Sequence, residues 1–111
     1  MASVDECRQA LQELADRLDR HAEATGRIDL DRTLACRITD LDTAFHGRLE
    51  NGRLTGLTDG DDPQAKIALS TNSDDLVALV HGQLDLAKAV AGRRVSIKAN
   101  PLDLMKLRKL I

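Results

Sequence analysis

A chain of 111 residues, 42% apolar and 31% charged, has room for one hydrophobic core and carries too much apolar surface to stay disordered. Its aromatic complement is one phenylalanine, with no tyrosine or tryptophan, which argues against a stacking surface for single-stranded nucleic acid and leaves the core to Leu, Ile, Val and Ala. The net charge of −2 is unevenly placed: Arg93 to Ile111 holds six basic residues and one acidic, the rest of the chain ten basic and seventeen acidic.

Ser3 and Glu6 have the spacing of a capping box, which opens a helix. Val4, Cys7, Leu11, Leu14 and Leu18 recur at intervals of three and four, predicting a helix to about Ala24 that Thr25-Gly26 ends. This stripe suits the chain's own sheet; the alternative is a homodimer through the N-terminal helix. From Arg32 the period changes to two, with Leu34, Cys36 and Ile38 on one side. A second strand runs from Thr43 to Leu49 and a third from Arg53 to Thr58, joined by Asn51-Gly52, the positive-φ pair of a type I′ turn. Asp59 to Pro63 reads as a loop, and Ala65 to Ser70 as a fourth strand. All these strands alternate, so one sheet face is expected to be covered and the other wet.

Ser73 is expected to cap a helix bearing Leu76, Val77, Leu79 and Val80, which Gly82 stops. Asp85 caps a shorter helix that ends at Gly92, and Arg94 to Ala99 is a fifth strand. Asn100 caps the last helix, with Pro101 in its first position, where a missing N–H costs nothing. The order is α-β-β-β-β-α-α-β-α, an α+β chain read as a single domain over residues 1–111.

Little in the chain carries reaction chemistry. His21, His46 and His81 have no metal-ligand spacing, and Asp59 to Asp62 lacks the pattern of a calcium loop. No nucleophile elbow, phosphate loop or dinucleotide fingerprint is present. No catalytic residue, metal or cofactor is assigned, and the chain is read as a non-enzyme. Cys7 and Cys36 sit in apolar patterns as buried free thiols, and with no secretory signal the expected location is cytoplasmic.

A two-residue turn at Asn51-Gly52 sets Leu49 opposite Leu54 and Gly47 opposite Gly56, on the face shared with Phe45. Two glycines side by side admit either a closely approaching helix or a space. The excess of Leu, Val and Ala in the C-terminal half favours a space, with Gly47 and Gly56 as the floor of a cavity for an apolar ligand.

Residues 65–111 resemble the sterol carrier protein type 2 family. The likeness rests on Ser73-Asp74-Asp75-Leu76, Leu79, Gly82, Ala89, Gly92, Arg93-Arg94-Val95 and Leu104 to Leu107, together with the element order. It implies a five-stranded, mostly antiparallel sheet with helices on one face and a hydrophobic tunnel between them for a sterol, fatty acid or fatty acyl-CoA. Leu76, Leu79, Val80, Leu84, Leu86, Val90, Leu104 and Leu107 stand at positions matching its lining. Asn100-Pro101 departs from the family's usual Gly-Asp after the fifth strand. Family members also occur as appended domains of enzymes. From the charge pattern itself, Arg93, Arg94, Lys98, Lys106, Arg108 and Lys109 form a basic patch that could touch an anionic membrane.

Overall fold

The computed structural model of the chain describes residues 1–21 and 30–110. The elements are α1 (Val4–Arg20), β1 (Arg32–Ile38), β2 (Thr43–Glu50), β3 (Arg53–Asp59), β4 (Ile67–Thr71), α2 (Ser73–Val80), α3 (Leu86–Ala91), β5 (Val95–Lys98) and α4 (Pro101–Leu110). They follow the order expected from the sequence. The expected end of the first helix at Thr25-Gly26 lies outside the described residues.

The five strands form one sheet in the order β3-β2-β1-β4-β5. Three neighbouring pairs are antiparallel and one, the central strand β1 with β4, is parallel. Cys7, Ala10, Leu11, Leu14 and Leu18 of α1 are buried against the inner face, where Cys36, Ile38, Phe45, Leu49, Leu54, Ile67 and Leu69 meet them. The α1 stripe is therefore covered within its own chain. The capping box is present, with Ser3 Oγ accepting from the Glu6 N–H at 3.1 Å.

Ser73 does not cap α2. Asn72 does, its Oδ1 accepting the Asp75 N–H at 2.8 Å, while Ser73 occupies the first helical position. The buried Ser73 hydroxyl donates instead to Asp40 Oδ2 at 2.6 Å and accepts the Ala2 N–H at 3.0 Å. The Ser73 hydroxyl, together with the Ser73 backbone N–H that donates to Asp40 Oδ1 at 2.8 Å, holds the Asp40 carboxyl below the usual carboxylate range.

The outer face is not wet throughout. The segment after β3 folds back across it: the Gly60 N–H donates to the Ala44 carbonyl, Arg37 Nε reaches Asp61 at 3.0 Å, and the Lys66 N–H donates to Thr33 Oγ1. Ala35, which alternation points to that side, is fully buried beneath it.

The glycine pairing is also corrected. Leu49 does oppose Leu54 across the Asn51-Gly52 turn, but the register shifts between His46 and Arg48. Gly56 and Leu57 together face Gly47, a bulge with Gly56 at φ 63°. Gly56 is exposed, and a Cβ there would meet nothing within 4 Å. A Cβ on Gly47 would lie 2.9 Å from the Thr55 carbonyl oxygen. Neither glycine is a cavity floor: Gly47 admits the bulged backbone, and Gly56 supplies its left-handed turn. The bulge returns Leu57 to the core side and Asp59 to the side of α1, where Arg8 holds it through two bonds, at 3.2 and 2.7 Å.

These geometries set a cost at each glycine. Gly47→Ala must displace backbone and loses about 1–3 kcal/mol, whereas Gly56→Ala has room and loses about 1–2 kcal/mol to backbone strain. Urea unfolding of the two variants measures both losses; a variant at either position as stable as the parent chain would contradict the bulge.

Candidate functional site

Between the sheet and the helices lies an interior cavity of about 40 Å³. Its walls are Leu11, Leu14 and Leu18 of α1, Leu34, Cys36, Leu49, Leu54 and Leu69 of the sheet, Leu76, Leu79 and Val80 of α2, and Leu107 of α4. Every wall is aliphatic apart from the Cys36 sulfur. A void of this composition has no partner for a water molecule, which needs two or more polar contacts to be held. It arises because α1 presents its stripe at helical spacing, the strands present alternate residues, and no aromatic ring fills the remaining gap.

Of the residues that the sequence and the family resemblance suggested as lining, Leu76, Leu79, Val80 and Leu107 reach this cavity. Phe45 is buried away from it, its ring 5.6 Å from the Arg8 guanidinium carbon. Leu84 and Leu86 line a separate surface groove instead. Val90 and Leu104 are half-buried elsewhere, and Gly47 and Gly56 stay with the bulge. The α1 leucines and the inward residues of the sheet were legible as core from their periodicity. No single position signalled that they enclose space.

Helix α4 closes one side of the cavity with few attachments. Leu107 and Asp103 are its buried residues among those described. Asp103 Oδ2 accepts from Arg32 Nε at 3.0 Å, and its N–H is capped by Asn100 Oδ1. Leu102 and Met105 are 59% and 58% exposed. Of the basic residues in this half, Arg94 is held by Asp75 through its Nε and its guanidinium. Arg93, Lys98, Arg108 and Lys109 are exposed and Lys106 is half-buried.

His81, His46 and the Asp61–Asp62 carboxylates are engaged in local contacts. His81 Nε2 lies 2.9 Å from Glu13, and His46 Nδ1 lies 2.9 Å from the Gly60 carbonyl on the far face of the sheet. Asp61 pairs with Arg37, and Asp62 accepts the Gln64 N–H. Among the described residues no group of three or more His, Cys, Asp or Glu is placed to hold a metal, and no helix is long and apolar enough to cross a membrane.

Both cysteines are buried and free. Burial pushes the Cys36 thiol up to about 12 and raises Cys7 as well. An unfolded thiol ionises near its ordinary value of 9.0, so in the window up to about 12 the unfolded chain binds fewer protons than the folded one. Stability therefore falls as pH rises from 9.0 towards 12. Denaturant melts across that range are expected to show the decline, and to show it reduced in Cys36→Ala.

Comparison with known proteins places this architecture. Comparison with curated proteins gives no match. Among solved structures, the stereoselective inverting sec-alkylsulfatase Pisa1 from Pseudomonas sp. superposes with a TM-score of 0.69 at 26% identity, over 88% of this chain. This chain spans only 15% of the length of that enzyme chain. The sterol carrier protein domain 2 of Helicoverpa armigera superposes with a TM-score of 0.71 at 17% identity, over 95% of this chain and 84% of that one. A sterol carrier protein 2 crystal structure gives 0.68 at 14% identity, over 92% and 90%. The fold is thus that of the sterol carrier proteins, as the sequence resemblance implied. The family described as alkyl sulfatase C-terminal matches residues 3–111. With nearly its whole length matched, the chain belongs to the alkyl sulfatase C-terminal family.

Proposed function

We propose that this chain is a non-catalytic binding module that takes the aliphatic part of a lipid-like ligand between sheet and helices. The observation that carries this reading is the aliphatic cavity at the centre of the core. A void of 40 Å³ costs a folded chain about 1 kcal/mol, which a hydrocarbon guest would recover.

The void as it stands is too small for a ligand, so entry requires an element to move. Helix α4 is the candidate. Withdrawing it exposes Leu107, at about 1.5–3 kcal/mol, and loosens the pair of Arg32 with Asp103. A twelve-carbon chain gains about 10 kcal/mol on burial at 0.8 per methylene, before the costs of ordering. The balance favours opening around a flexible chain. A rigid ring system, which needs its whole volume at once, is less well served.

Titration with dodecanol tests the reading through the melting temperature. Binding to the folded state at a hundred times Kd adds about 2.7 kcal/mol, and Leu69→Phe, which fills the cavity, is expected to weaken that effect. No rise in melting temperature with dodecanol or any longer alcohol would rule the proposal out.

Membership of the alkyl sulfatase C-terminal family supports a second setting for the same activity. There the module would hold the apolar part of a substrate beside a catalytic partner. The exposed Leu102 and Met105, with Lys106, Arg108 and Lys109 on the same helix, further support transient contact with an anionic bilayer. Flotation with vesicles should show binding to phosphatidylserine-containing membranes that falls with salt; equal binding to neutral vesicles would remove the electrostatic role.

A further inference from the structure

A surface groove of about 670 Å³ runs between the end of α1, the stretch from Gly82 to Lys88, and α4. Four cations line it, Arg17, Lys88, Arg94 and Arg108, against one acid, Asp85. Arg94 is paired with Asp75, and Asp85 is occupied as the cap of α3, accepting the Lys88 N–H at 3.1 Å. Arg17 donates to the Val80 carbonyl, which fixes its guanidinium beside the groove, and a guanidinium carries more donors than one such bond uses. Lys88 and Arg108 are exposed and form no ion pair among the described residues. Three available cations thus stand on three different helices around one cleft.

Like charges gathered round a cleft reinforce one another's field inside it and draw in anionic groups. A cleft of this volume takes a ligand of several groups rather than a single ion, and cations set on separate helices are matched by several carboxylates. The lining also holds half-buried Leu84 and buried Leu86, which suit an aliphatic side chain carried among those carboxylates. No aromatic ring lines the groove, so a nucleobase has nothing to stack on. A flat bilayer surface does not enter a cleft; Lys106 and Lys109, which do not line it, remain for membrane contact.

We propose that this groove docks an acidic peptide segment of a partner protein, with one or two leucine-like side chains among its carboxylates. Arg17, Lys88 and Arg108 pair with the carboxylates, and the leucine covers Leu84 and Leu86. Docking bridges α1, α3 and α4. It therefore holds α4 in place and opposes the withdrawal that opens the cavity. The inference stands on the groove and goes beyond what the cavity holds.

Four capped heptapeptides test it. The first has leucine at its third and sixth positions and glutamate elsewhere. In the others glutamine replaces glutamate, lysine replaces glutamate, or serine replaces leucine. Fluorescence anisotropy is expected to show the first peptide bound at least about fivefold more tightly than the glutamine or the serine peptide, the lysine peptide not bound, and the gap between glutamate and glutamine narrowing as salt rises. In Lys88→Glu/Arg108→Glu the preference for glutamate over glutamine disappears; Lys98→Glu, outside the groove, keeps it. Hydrogen exchange reads the hold on α4: at about ten times Kd the first peptide is expected to slow exchange of the α4 amides about tenfold. Equal binding of the glutamate and glutamine peptides, a preference that survives the double variant, or tighter binding of a single-stranded oligonucleotide overturns the docking. Binding that leaves α4 exchange unchanged overturns the hold on that helix. The peptide series on the wild-type chain decides the matter even where the double variant does not fold. Failure of dodecanol to bind removes the cavity reading and leaves this one standing.

Discussion

The structure depends on one layer: the leucine stripe of α1 pressed against the inner face of a twisted sheet with almost no aromatic rings between them. A helix buries a stripe and a sheet buries a face, and neither is stable until the two meet. Here Cys7, Leu11, Leu14 and Leu18 supply one side and Cys36, Leu49, Leu54 and Leu69 the other. Branched aliphatic side chains cover such a seam well at its edges. They do not fill its centre as a tryptophan or phenylalanine would, and the one phenylalanine lies elsewhere, beneath Arg8. The same near absence of aromatic rings thus leaves the gap beneath α2 and α4.

How much of this was legible depended on whether the determining forces were local. The capping box at Ser3, the turn at Asn51-Gly52, the cap at Asp85 and the proline at the start of α4 each depend on a few neighbouring residues, and all four stand as read. Strand alternation located the inward residues for the same reason. The pairing of Gly47 with Gly56 failed because counting outward from a turn assumes an unbroken ladder. A glycine in left-handed conformation is also what a bulge requires, so Gly56 carried the contrary signal. Ser73 misled in a similar way. A serine before two aspartates resembles a cap, yet Asn72 one place earlier does that work and frees the Ser73 hydroxyl for Asp40.

The cavity and the groove were harder to anticipate, because neither belongs to a segment. The void is what remains after three helices and four strands have packed, and no residue type marks it. The groove joins Arg17, Lys88 and Arg108, which are far apart in the chain and are brought together only when α1, α3 and α4 take their places. The basic excess of the C-terminal stretch was visible. Its division was not: Arg94 is committed to Asp75, while Arg93, Lys98, Arg108 and Lys109 are left to the solvent.

The parallel pairing of β1 with β4 has a bearing on how the chain is made. The hairpin of β2 and β3 and its union with β1 draw on residues up to Asp59 alone, so they can assemble early during synthesis. The other edge of β1 waits for residues 67–71 and for the segment that straps Ala35 from behind. Until that stretch leaves the ribosome, the nascent sheet presents a naked row of amide and carbonyl groups flanked by leucine, a surface prone to pairing with other chains. A protein stalled or cleaved just after the third strand would carry that adhesive border permanently.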